Sequence, residues 1–159
     1  MSTSVPYQSS PAGSFVQTAA AARQALARIP LSLIEVAMRV GVASVFWKSG
    51  LTKIASWDLT VQLFADEYRV PLLTPELAAY FGTFNELVAS VLVAFGIASR
   101  LGAAALLGMT LVIQVFVYPE NWSEHLLWAS ILAYVLARGP GPISVDHLVA
   151  RKLFASERG

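Results

Sequence analysis

Five side chains in this 159-residue sequence have the type and position to do chemistry: Arg39, Lys53, Glu86, Gln114 and His125. Each lies inside, or at the edge of, an apolar stretch. An arginine at the centre of a membrane span costs about 2.5–3.5 kcal/mol on insertion scales, so a chain that keeps Arg39 there must offer it a partner or a wet cavity. On a helix, Glu35, Arg39, Phe46, Gly50 and Lys53 fall on one narrow stripe, whereas Lys48 points the opposite way. At the rise of an α-helix, Arg39 lies about 13 Å in from Pro30, Glu86 about 18 Å in from Ala98 and Gln114 about 19 Å in from Leu101. These depths predict a buried Arg39–Glu86 pair supported by Gln114, with Lys53 and His125 above it toward the outer mouth. A polar pocket of this composition could bind a ligand or hold a proton. The competing reading is a neutralised pair that only fixes helix register. Glu35 has a local partner in Arg39 four residues on, and His125, beside Trp122 and Glu124, also reads as an interfacial residue.

Such residues need elements able to carry them through hydrocarbon, and the composition supplies them. Of the residues, 56% are hydrophobic and only 13% are charged, with a net charge of +1; soluble domains carry about 25% charged residues. Disordered, nucleic-acid-binding and small disulfide-scaffold classes are excluded together. The absence of cysteine removes dithiol redox centres, covalent haem of the c type and thiolate-bound iron–sulfur clusters from this chain. His125 and His147 belong to opposite ends of the last span, and the carboxylates are dispersed, so no haem or metal ligation is expected, nor any covalently bound cofactor.

The sequence predicts an all-α integral membrane protein, an up-down four-helix bundle with both termini cytoplasmic. Spans are expected over about 30–55, 75–98, 101–118 and 122–138, preceded by a flexible tail at 1–29 without the features of a secretory signal and followed by a cytoplasmic tail at 139–159. Thr74-Pro75-Glu76 is a helix start, and the Ala98-Ser99-Arg100 link forces the second and third spans into a hairpin. Leu59, Leu63, Phe64 and Tyr68 have the spacing of a surface helix over the outer mouth, although a plain connector fits equally. In the last tail Ser144 can cap a short amphipathic helix. Arg23, Arg28, Arg100, Arg138, Arg151, Lys152 and Arg158 fall on one side and only Lys53 and Arg69 on the other, which makes the termini cytoplasmic by the positive-inside rule. Trp57, Tyr80, Tyr118 and Trp122 form an aromatic belt outside. Ser90-xxx-Ala94-xxx-Ala98 and Ala104-xxx-Gly108 offer small faces for close packing.

The succession Arg39, Phe46, Gly50-x-x-Lys53, Val70-Pro71, Glu86, Phe95-Gly96-x-x-x-Arg100, His125 and Gly139-Pro140-Gly141-x-x-Ser144-x-Asp146 resembles the DoxX family of small bacterial membrane proteins, from about Ile34 to Val149. Pro142-Ile143 departs from a common family form with a basic or aromatic residue after Gly-Pro-Gly. One member class is described as the membrane part of a thiosulfate:quinone oxidoreductase. The resemblance therefore implies a multi-pass protein of the bacterial inner membrane that works at the quinone pool with a redox partner protein. By itself the chain would be at most a subunit of a quinone-linked oxidoreductase. Its pocket would be Arg39, Glu86, Gln114, Lys53 and His125, with Glu86 and His125 exchanging protons and the cations and Gln114 offsetting negative charge. A second function stays open: a non-enzymatic module that binds or moves a small anion, lipid or metabolite, or scaffolds a partner complex. Extensive lipid-facing area is also compatible with a homodimer.

Overall fold

The computed structural model describes residues 11–156, with side chains from 15 to 153. Among them there is no strand, and seven α-helices follow in order: α1 (Pro11–Ala27), α2 (Leu31–Ala55), α3 (Trp57–Leu63), α4 (Pro75–Phe95), α5 (Ser99–Val112), α6 (Trp122–Arg138) and α7 (Val145–Ser156). α2 packs on α4, α4 on α5, α5 on α6, and α6 returns to α2. Among the described residues two helical segments, Pro75–Phe95 and Ser99–Val117, are each long and apolar enough to cross a membrane; the pair Phe15–Ala27 and Leu31–Ala55, bent by 65°, passes the same test only when its two helices are counted together. α2 needs help to qualify because it carries Glu35, Arg39, Lys48 and Lys53 along its length.

The expected flexible tail is partly helical. Its Ala-rich run gives α1, since alanine has the highest helix propensity, and all its described side chains are exposed; residues 1–10 lie outside the described residues. Thr74 caps α4 by accepting from the Leu77 amide at 3.4 Å, and Pro75 occupies the first turn, where its missing N–H costs nothing. Gly96 ends α4 with φ 69°, and the Ile97 amide returns to the Leu92 carbonyl at 2.9 Å, a left-handed stop suited to glycine.

The core is built from α2, α4, α5 and α6: Val42, Phe46, Val93, Leu106, Leu132 and Val135 are each at most 2% exposed. Small residues set the spacing, but the expected small face of α5 is rotated. Ala104 and Gly108 are exposed, while Gly102 and Ala103 face inward. A Cβ on Gly102 would lie 2.9 Å from Leu92 and 3.1 Å from the Ala89 carbonyl, so α4 and α5 can approach this closely only where the side chain is absent. The Leu59–Tyr68 pattern resolves as α3 followed by a π-helical turn, Phe64–Tyr68. A second π turn, Ile113–Val117, extends α5. Phe64 packs with Ala78 and Ala79 and with Trp57, Val61, Tyr68 and Val70, which seats this segment over the bundle end where α4 starts.

Candidate functional site

Gly50 is where the site begins. A Cβ there would sit 2.8 Å from the Leu87 side chain and 3.3 Å from the Glu86 Cβ. Glycine thus lets α2 and α4 close up at that level and brings Glu86 beside Ser49 and Lys53. The Lys53 ammonium donates to Glu86 Oε1 at 2.7 Å, to Oε2 at 2.9 Å and to Ser49 Oγ at 2.7 Å, and Ser49 Oγ donates to Glu86 Oε1 at 3.0 Å. Lys53 is 8% exposed and Glu86 3%, so this ion pair is removed from water. All three ammonium protons are engaged, whereas Glu86 Oε2 accepts one bond and keeps acceptor capacity. Thr60 locks the end of α2 by donating to the Lys53 carbonyl at 2.9 Å.

His125, 4% exposed on α6, is oriented by Gln114. Gln114 Nε2 donates to the Pro119 carbonyl at 2.8 Å, which turns its Oε1 toward His125 Nδ1 at 2.7 Å. A carbonyl oxygen only accepts, so this network assigns the proton to Nδ1 and leaves Nε2 as an acceptor. Gln114 stands behind His125 rather than in the cavity wall.

Lys53, Glu86 and His125 line one cavity of about 670 Å³ whose other walls are mostly apolar, a volume inside the usual range for ligand sites, about 300–1,000 Å³. Ser49, Asn85, Tyr68 and Trp128 also line it. Trp128 packs edge-on to Phe46 at 5.3 Å and beside the His125 ring at 5.2 Å. Above these residues the Tyr68 ring, at the end of the first π turn, and the Tyr118 ring, just after the second, meet edge to face at 5.8 Å, and the Tyr118 hydroxyl donates to Glu67. Burial pushes both phenols above their ordinary range, and for Tyr118 the bond to Glu67 adds to the effect. Such single-turn π segments are frequent at functional sites.

Arg39 is elsewhere, and the expected Arg39–Glu86 pair does not form. Its guanidinium donates to the carbonyls of Val93 at 3.2 Å, Ala94 at 3.0 Å and Ile143 at 2.5 Å. Val93 and Ala94 are about 11–12 Å along α4 from Glu86. The depth count failed because it started α2 and α4 at a common plane. In fact α2 projects past the end of α4, so that Arg39, well inside α2, is level with Gly96, where a Cβ would lie 2.7 Å from the guanidinium. Lys53, farther along the same stripe, reaches Glu86 instead.

Arg39 belongs to a clasp that fastens the last segment to the bundle. The Asp146 amide donates to the Gly96 carbonyl at 2.8 Å, and the Asp146 carboxylate accepts from the Ala98 amide at 2.7 Å, the Ser99 amide at 3.0 Å and Ser99 Oγ at 2.8 Å. It thereby caps α5. Burial alone would raise this carboxyl, but the Ser99 and Ala98 hydrogen bonds and the charge of Arg39 outweigh it and hold the group below the ordinary carboxylate range. Ser144 caps α7 by accepting from the His147 amide at 3.2 Å. Gly139 and Gly141 have φ of 85° and 82°, and a Cβ on Gly141 would collide with the Glu35 carboxylate. Glu35 accepts from Tyr134 at 2.9 Å and makes no ion pair with Arg39 among the described residues. The Pro142-Ile143 departure does not prevent docking, because Ile143 contributes its carbonyl rather than its side chain.

Of the five expected site residues, then, the structure brings together Lys53, Glu86 and His125, sets Gln114 behind them and removes Arg39 to the opposite end. Ser49 is a member of the site that the sequence reading missed, and its place four residues before Lys53 is the signal that marks it; Tyr68 belongs to the pattern expected over the outer mouth, and Asn85 and Trp128 carry no distinguishing signal. Compared with known proteins, residues 34–119 match the family model described as DoxX. No curated protein and no solved structure matches the chain.

Proposed function

This chain belongs to the DoxX family of membrane proteins, and on that premise we propose that it is the membrane subunit of a quinone-linked redox system, with the cavity beside Lys53, Glu86 and His125 as the dock for a quinone head. The observation that carries the reading is the buried Lys53–Glu86 pair in the wall of a large, mostly apolar cavity. Intramembrane ionisable groups that line a cavity are functional-site candidates by default. When bound, a quinone supplies reversible electron and proton chemistry that this cysteine-free chain lacks. The chain's own part is positioning and proton handling. Glu86 Oε2 can accept from a hydroxyl, His125 Nε2 can accept and hold a proton while Gln114 fixes Nδ1, and the Lys53 ammonium offsets negative charge on the head. Electrons would come through a partner protein.

In this proposal α2, α4, α5 with its π turn, and α6 make four crossings of the bacterial inner membrane. The basic residues near the clasp mark the cytoplasmic side, with both termini there. The anion-binding alternative has weaker support, because Lys53 is neutralised by Glu86 and three donors of Arg39 are taken by carbonyls. Titration of the purified, lipid-reconstituted protein with a long-chain quinone tests the reading. Saturable binding that weakens by about tenfold, or 1.4 kcal/mol, in a well-folded Glu86→Gln variant is expected. No saturable binding, or equal affinity in the variant, rejects it.

A further inference from the structure

The same cavity has a side opening, and its position says how a ligand enters. α4 and α5 are in backbone-level contact near their connecting turn, where a Cβ on Gly102 would lie 2.9 Å from Leu92 and 3.1 Å from the Ala89 carbonyl, whereas farther out they meet through side chains, a Cβ on Gly82 lying 3.8 Å from Met109. At this outer level the cavity wall includes Phe81, Phe84, Ala105 and Val112, all exposed on the outside of the bundle, with Phe81 at 62% and Phe84 at 65%, so the cavity reaches the surface along the seam between the two helices. Phe84 is about 14 Å below the start of α4, the depth of acyl chains rather than of headgroups or water. Asn85 bridges the gap, donating to the Ala105 carbonyl at 3.2 Å and to Met109 Sδ at 3.4 Å. The slit therefore has an apolar outer rim and one polar side chain at its threshold, and behind it lies the Lys53–Glu86 pair.

We infer that ligand reaches the cavity sideways from the hydrocarbon, between the outer halves of α4 and α5, and that it is an amphiphile whose small polar head docks inside while its apolar tail stays in the slit. The inference rests on the cavity being a ligand site, and it narrows the ligand to a membrane-partitioned class. A water-borne anion would have to cross an apolar rim to use this entrance. At the upper end the Tyr68–Tyr118 contact and the exposed polar residues Asn121 and Glu124 border the cavity, so the slit is its apolar, lipid-facing side.

Trp128 lines the cavity and reports on its contents. With Trp47, Trp57 and Trp122 replaced by phenylalanine, the full-length protein is reconstituted in bilayers whose acyl chains carry bromine, a contact quencher of indole. Chains entering the slit should quench Trp128, and Ala105→Phe, a substitution at an exposed rim position, should reduce that quenching severalfold with helicity unchanged. Val112→Phe serves as an independent plug should Ala105→Phe fold poorly. A second arm adds long-chain ubiquinone to unbrominated bilayers; the plug should weaken its quenching about tenfold. Equal bromine quenching with and without the plug, or none in the unplugged protein, overturns the side entrance. Bromine quenching that the plug removes, together with no effect of ubiquinone, keeps the entrance and rejects the quinone reading instead.

Discussion

Removing Lys53 should damage the protein far more than removing Lys53 and Glu86 together. Lys53→Met deletes three hydrogen bonds at 2.7–2.9 Å and strands a carboxylate that is 3% exposed. Breaking one partner out of a buried ion pair costs about 3–5 kcal/mol, because the remaining charge is left without compensation, whereas replacing both partners by neutral groups of similar size is often close to neutral. Lys53→Met should therefore cost about 3–5 kcal/mol, Glu86→Gln somewhat less because its amide can still accept from Lys53, and the double variant should recover most of the loss. The coupling between the sites, the sum of the single losses less that of the double variant, should then be at least about 3 kcal/mol. Equilibrium unfolding in mixed micelles, followed by helicity, measures all four corners of the cycle. As an internal control, Arg39→Met and Glu86→Gln should be additive within about 0.5 kcal/mol, since their groups are about 11 Å apart along α4. Additivity of the Lys53 and Glu86 changes, or strong coupling of Arg39 to Glu86, would refute the pairing and restore the partner that depth alone suggests.

Two further outcomes follow from the geometry. The Asp146 carboxyl titrates below its unfolded value of about 3.9, so its contribution to docking α7 is complete above that value and lost only as pH falls through the lower, folded one. The protection factors of the α7 amides, that is, exchange corrected for its intrinsic dependence on pH, should accordingly be flat from neutral pH down to about pH 4 and fall below it, while Asp146→Asn should be loose already at neutral pH; loss of protection in the native protein between about pH 5 and 7 would contradict the clasp. Gln114→Leu removes the acceptor of His125 Nδ1 without entering the cavity wall, and it should weaken quinone binding severalfold at a stability cost of about 1–3 kcal/mol, the cost of a buried donor left without its partner. An unchanged affinity there would deny His125 an oriented role.

Much of this was legible in the sequence because hydrocarbon imposes strict rules. Thr74-Pro75 announced the start of α4, the Ala98-Ser99-Arg100 link announced its hairpin with α5, and the charged stripe Glu35–Arg39–Phe46–Gly50–Lys53 is the buried face of α2. What periodicity could not supply was the relative height of two helices. A slide of α2 past α4 keeps every residue on the same face while exchanging its partner, so Glu86 met Lys53 and not Arg39. The clasp was illegible for a related reason: Arg39 and Asp146 act on backbone groups of Val93, Ala94, Ala98, Ser99 and Ile143, and main-chain acceptors and donors leave no mark in residue type. The rotated small face of α5 has a third cause. Ala and Gly occur all round that helix, and Gly102 was chosen by the nearness of Leu92, not by spacing.

Photoaffinity labelling puts the proposed dock to the most direct trial. An azido-quinone with a full-length tail, incorporated into bilayers with the protein and activated by light, should modify peptides from α2 around Ser49–Lys53, α4 around Ala78–Glu86 and α6 around His125–Trp128, the stretches that line the cavity. Excess unlabelled quinone should suppress that modification, and Glu86→Gln should diminish it. Labelling confined to lipid-facing residues away from these stretches, or labelling that excess quinone does not compete, would contradict the account.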